Sequence, residues 1–251
     1  MGHPQFRPVR FIPKRVMCLL LLVLAASMLL PSLAAAARVT YLKRPAEIKR
    51  KGAKEWSALR LGFKVNGGDS IRTGFGGRVE VTVGSRRVFR VGAVTELEIP
   101  RLEESKKGGL RAFFRLTLGR FWGGLIRPLR KLGGDKFQVS TASATIGVKG
   151  TQFGLDYDRK TKVSQLLVLE GEVAVVPPGD EDKLVEVEGP REIPGPQEIT
   201  EEEWLLVVRK NQKIVIRPGT APRVEPITGK DREDEWVRFN LERDRQLAQG
   251  Q

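Results

Sequence analysis

Between about Leu59 and Val176 the chain repeats one pattern: apolar residues alternate with polar ones for a few positions, and a glycine-containing break follows. Val79, Val81 and Val83 fall on one side of a two-residue period and Glu80 and Thr82 on the other, as in a half-buried strand. Breaks at Gly67-Gly68-Asp69, Gly74 to Gly77, Gly150, Asp158 to Thr161 and Gly171 read as turns, where glycine supplies backbone angles closed to other residues. Turn signals every 8–12 residues or so predict an all-β sandwich or β-solenoid of many short strands. The 27 glycines and 15 prolines agree with that reading and weigh against long helices.

The first residues read as an address. Arg7, Arg10, Lys14 and Arg15 precede an apolar run from Val16 to Leu30, Pro31 breaks it, and Ala34 to Ala37 offers cleavage after Ala36 or Ala37. The run is short for a spanning helix, which needs about 20 apolar residues. The expectation is a cleaved signal peptide over 1–37, export by the general secretion route to the periplasm or beyond, and no membrane anchor afterwards. Cys18 and His3, the one cysteine and one histidine, both lie in that leader. A mature chain without either has no disulfide, no Cys/His zinc site and no histidine-based catalysis. No catalytic, metal or cofactor residues are assigned. The pairs Glu103-Glu104 and Glu201–Glu203 read as a loop and a helix start.

The expected domains are a basic lead-in over 38–58, a β domain over 59–190, and a Pro/Gly linker with a helical extension over 191–251. Thr200 and Glu203 form a capping box that predicts a helix over 201–211; a hairpin of Trp204–Val208 with Lys213–Arg217, turning at Asn211, is the competing reading. Asp231–Leu247 reads as a charged helix, an exposed tail or frayed.

Charge is uneven. Residues 38–150 carry 25 Lys/Arg against nine Asp/Glu, a net of +16, while residues 151–251 carry 15 against 21, a net of −6. Lys106, Lys107, Arg111, Arg115, Arg120, Arg127, Arg130 and Lys131 surround Phe113, Phe114, Phe121 and Trp122. Arg86 and Arg90 would share a strand face with Val88. These cations are candidates for binding an anion or a partner, a cell-wall or other polyanion included; nucleic acid is the least expected of these. The competing reading is that the aromatics are core and the cations a solvated face.

In order, the chain has G-D-S-I-R-T-G at 68–74, G-R-V-E-V at 77–81, V-G-A-V-T-E-L at 91–97, L-G-R-F-W at 118–122, F-Q-V-S-T at 137–141, A-T-I-G-V-K-G-T-Q-F at 144–153 and L-E-G-E-V-A-V at 169–175. This succession resembles the FecR domain, a periplasmic all-β module. The resemblance singles out Gly68, Asp69, Thr73, Gly74, Gly119, Thr141, Gly150, Thr151, Phe153 and Gly171, all read as architectural. Proteins that name the family relay a signal from an outer-membrane transporter to a cytoplasmic sigma factor. Only 15 residues precede the apolar run here, too few for a sigma-factor-binding segment. The resemblance therefore implies the fold, export and a non-enzymatic role holding an envelope protein as partner.

Overall fold

The computed structural model describes residues 37–84, 87–104, 109–125, 136–179 and 205–249. Fifteen strands join through backbone hydrogen bonds into one continuous sheet. They are β1 (Ala37–Lys43), β2 (Ala46–Lys49), β3 (Ser57–Ala58), β4 (Lys64–Val65), β5 (Ser70–Thr73), β6 (Arg78–Val83), β7 (Arg87–Val91), β8 (Glu96–Glu104), β9 (Leu110–Leu125), β10 (Lys136–Ser140), β11 (Thr145–Asp158), β12 (Val163–Val176), β13 (Leu206–Arg209), β14 (Gln212–Arg217) and β15 (Thr220–Pro226). Two helices follow, α1 (Gly229–Glu233) and α2 (Glu235–Gln249). No described helix is long and apolar enough to cross a membrane.

Three long strands make the sheet fold back on itself. The first half of β9 pairs β8 and β10; its second half pairs β7 and β11. Likewise β11 joins β10 near its start and β9 near its end, and β12 accompanies it throughout. Each strand changes layer at a glycine in the left-handed region: Gly119 (φ 96°), Gly150 (φ 66°) and Gly171 (φ 79°). At Gly119 a Cβ would lie 2.3 Å from Thr95 Oγ1 and 2.6 Å from the Thr95 backbone, so both angle and space demand glycine.

One layer therefore runs β3-β2-β5-β8-β9-β10-β11-β12-β13, and the other β4-β1-β6-β7-β9-β11-β12-β14-β15. One core fills the space between them. Phe89 and Phe121 of the second layer meet Phe114 and Phe137 of the first, with centroids 4.8 Å apart for Phe89–Phe114 and 6.3 Å for Phe121–Phe137. Of the two expected architectures, the structure is the sandwich, since a solenoid buries only neighbouring repeats.

The segment expected as a helix over 201–211 is strand where it is described, because Val207, Val208 and their neighbours complete the edge beside β12. The turn at Asn211 is present (φ 63°), yet β13 and β14 do not pair as a hairpin. They lie end to end along β12, opposite 172–175 and 164–168, and break where β12 bends at Gly171. Residues 37–58 supply β1, β2 and β3, with β1 beside β6 and β2 beside β5. The C-terminal helix is no exposed or frayed tail: Trp236, Val237 and Asn240 of α2 are buried.

Candidate functional site

The β6 alternation puts Val79, Val81 and Val83 into the core, which turns Glu80 to the opposite face. Register carries that face across the layer as a row: Tyr41, Glu80, Arg90, Trp122, Gly154, Leu167 and Lys213. Helix α2 lies over this row, so a position that alternation alone assigns to solvent is fully buried. Gly154 leaves room for its neighbour; a Cβ there would come within 3.2 Å of the Trp122 ring.

Beneath the helix sits a closed set of charges. Arg90 donates from Nε to Glu80 Oε2 at 2.7 Å and pairs through Nη1 with Asp244 at 2.7 Å. Arg243 reaches Glu80 Oε1 at 3.0 Å, which also accepts from Thr40 Oγ1 at 2.9 Å. Asp244 accepts from Trp122 Nε1 at 3.0 Å and from Gln152 Nε2. Burial alone would raise the Glu80 carboxyl, but the Arg243 hydrogen bond and the Arg90 charge outweigh it and hold Glu80 below its ordinary value. Apolar contacts flank the set: Trp236 and Val237 pack with Trp122, Leu167 and Leu169.

A second cluster pins the start of α2. Asp234 caps it, accepting from the backbone N–H groups of Trp236 (2.9 Å) and Val237 (3.1 Å), and is gripped by Arg120 (2.9 Å). Arg120 also holds Asp156 at 2.8 Å. Burial would lift Asp234, yet the Arg120 and backbone hydrogen bonds bring it below its ordinary value. Asp156, desolvated and facing the Asp234 charge, is raised despite Arg120.

The sequence-selected cations thus part company. Arg90 and Arg120 meet the chain's own carboxylates. Arg111 lies on the outer face of the other layer, exposed and directly opposite exposed Lys136 in the parallel β9–β10 register. Arg86, Lys106, Lys107, Arg127, Arg130 and Lys131 lie outside the described residues. Among the aromatics between them, Phe114 and Phe121 are core, Trp122 lies beneath α2, and Phe113 is half-buried under Arg101.

The motif residues hold turns and corners. Asp69 is buried, ion-paired with Arg50 (2.8 Å), and accepts from the N–H groups of Asn66 and Lys51, at the turn that contains Gly68. Thr73 donates to the Gly92 carbonyl and accepts from Thr95 N; Gly74 packs on Pro45. Thr151 lies against Gly171, Phe153 fills the core between Gly123 and Phe137, and Thr141 closes the turn before β11. Glu80, Gln152, Asp234, Arg243 and Asp244 escaped the sequence reading. Their one signal was the stripe Trp236, Asn240, Asp244 at helical spacing, which pairs an apolar residue with two polar ones. No group of three or more potential metal ligands occurs among the described residues.

A two-layer β module, bent at glycine corners and covered on one outer face by a salt-bridged helix, is the class this structure defines. Residues 69–174 match the family described as FecR protein, and the chain carries a FecR domain over that span. Two crystal structures of proteins from Parabacteroides distasonis ATCC 8503, described as candidate anti-sigma factors, are similar to it. At 2.50 Å resolution, one is 16% identical over 62% of this chain and 59% of its own length, with a TM-score of 0.44. The other, at 1.65 Å, is 14% identical over 72% and 75%, with a TM-score of 0.47. Likeness at that level says nothing of partner or activity. The chain spans less than two thirds of the first. No curated protein matches the sequence.

Proposed function

We propose that this chain is an exported module of the cell envelope that senses or holds a protein partner and catalyses no reaction. The FecR domain over 69–174 carries the reading, because that family resemblance implies signalling by protein contact. Two features support it. The leader pattern over 1–37 is that of a secreted protein, and the residues after it lack imidazole and thiol. The strongest charge cluster is spent on holding α2, which suits a rigid scaffold better than a reactive site.

Fractionation with N-terminal sequencing tests the location: a periplasmic or secreted protein beginning near Arg38 is expected, and an intact cytosolic chain overturns it. Crosslinking in intact envelopes, followed by identification of the adduct, tests the role. Recovery of the uncrosslinked monomer alone overturns it.

One observation favours a second reading, a polyanion- or cell-wall-binding face. Arg111 and Lys136 stand side by side, exposed, with Glu103 opposite Arg111 on its other side, so the cations outnumber the carboxylate. Like charges directly opposite destabilise a sheet, so an external anion beside Lys136 would relieve the pair. Retention on an anionic polymer that weakens steeply with salt, and is lost in Arg111→Gln/Lys136→Gln, is the expected result. Salt-independent retention would sink this reading.

A further inference from the structure

The bend of β12 at Gly171 brings its two ends to the same rim of the sandwich. There the turn before β11, the start of β12, Pro177-Pro178 and the β14–β15 turn enclose a cleft of about 440 Å³. That lies within the range of small-molecule sites. Among the described residues its lining holds two cations, Lys162 and Arg217, and no carboxylate. Ser143 and Thr220 add hydroxyls, and the prolines form an apolar wall.

Three hydroxyls meet behind the cleft. Thr141 Oγ1 accepts from the backbone N–H of Ser143 (3.2 Å) and of Ala144 (3.1 Å) and donates to the Ala144 carbonyl (3.2 Å). It touches Ser164 Oγ at 2.8 Å, and fully buried Ser164 lies 2.7 Å from Ser143 Oγ. Ser143 is the one of the three that lines the cleft, so the cluster holds its hydroxyl in place there. A positioned hydroxyl and two exposed cations, around a cleft with no carboxylate among the described residues, suit an acceptor carrying negative charge.

We infer that the rim cleft formed by Ser143, Lys162, Arg217 and Thr220 binds a phosphoryl group, free or borne on a small molecule or lipid headgroup. Lys162 and Arg217 supply charge, Ser143 and Thr220 hydroxyls, and Pro177 and Pro178 a wall for the rest of the ligand. This site is separate from both the helix-covered row and the Arg111–Lys136 face.

The test uses the mature full-length chain at constant ionic strength. Inorganic phosphate and glycerol 3-phosphate are titrated by NMR, and vesicles of phosphatidylglycerol by co-sedimentation. Saturable binding on the order of 1 mM is expected. Ser143→Ala should weaken it about threefold to tenfold, and Lys162→Gln/Arg217→Gln by more than tenfold. Both cations are exposed, so that double variant keeps its fold, which its amide spectrum verifies. Arg111→Gln/Lys136→Gln should leave binding unchanged, which separates this site from the basic face. Saturation by free phosphate marks a soluble ligand. Saturation by vesicles alone, still lost in Lys162→Gln/Arg217→Gln, marks a lipid headgroup. No saturable binding to any of the three probes, or equal binding by the double variant, overturns the inference.

Discussion

The two outer faces of this sandwich begin alike in sequence and end as opposites. Glu80 and Arg90 alternate with core residues on β6 and β7, as Arg111 and Arg115 do on β9. The first pair is almost without solvent contact, while the second stays exposed. What separates them is a helix some 150 residues downstream that covers one face and leaves the other open. Charged residues on alternating strands therefore do not announce a solvated surface. Whether a distant element carries complementary charge decides the matter, and α2 brings Asn240, Arg243 and Asp244.

The comparison breaks most sharply at Arg90. Replacing it with alanine removes a fully buried partner of Glu80 and Asp244 and leaves Glu80 to Arg243 and Thr40, which costs about 3–5 kcal/mol in urea denaturation. On the open face, Arg115→Ala removes only the exposed pair with Glu98, for ~0–1 kcal/mol. Equal costs at the two positions would mean that α2 does not cover its face in solution.

A second contrast sets corners against ordinary turns. Gly119→Ala places a methyl against Thr95 and the Val94 carbonyl and should cost roughly 3 kcal/mol, strain and overpacking together. Gly62 has a similar angle (φ 79°) with open space around it, so Gly62→Ala should cost about 1 kcal/mol. If the two thermal midpoints fell together, the layer change at Gly119 would be in error.

These contrasts also mark what could be read in the chain. The strands, their turns and the family pattern were legible because alternation and glycine are local signals. Sandwich could not be told from solenoid, since that depends on where β9, β11 and β12 cross between layers, a long-range matter. The helix expected over 201–211 fails in its described part for a similar reason: local helix signals lost to the open edge of β12, which Leu206–Arg209 complete, while Thr200 and Glu203 lie outside the described residues. Arg90 and Arg120, read as candidates for binding an anion or partner, meet carboxylates of the chain itself. Two of those, Asp234 and Asp244, were hidden in a charged C-terminal stretch that looked like a solvated tail.

pH should separate the faces more gently. Glu80 has a folded value below its unfolded one, so its stabilisation is complete above the ordinary carboxylate range and is lost as pH falls through the depressed folded value. Acid should therefore release α2 early, seen as a rise in Trp122 and Trp236 exposure by fluorescence before the β signal in circular dichroism declines. Asp156 runs the other way. Its folded value is raised, so ionising it on the way up in pH works against the fold, and Asp156→Asn should remove that penalty at the cost of one Arg120 contact. The two effects nearly cancel at neutral pH, where the variant should stay within about 0.5 kcal/mol of the parent. Its acid transition carries the information: with Asp234 left as sole partner of Arg120, helix release should move to lower pH, and a shift to higher pH would show that Asp156 anchors the helix rather than competing for its arginine.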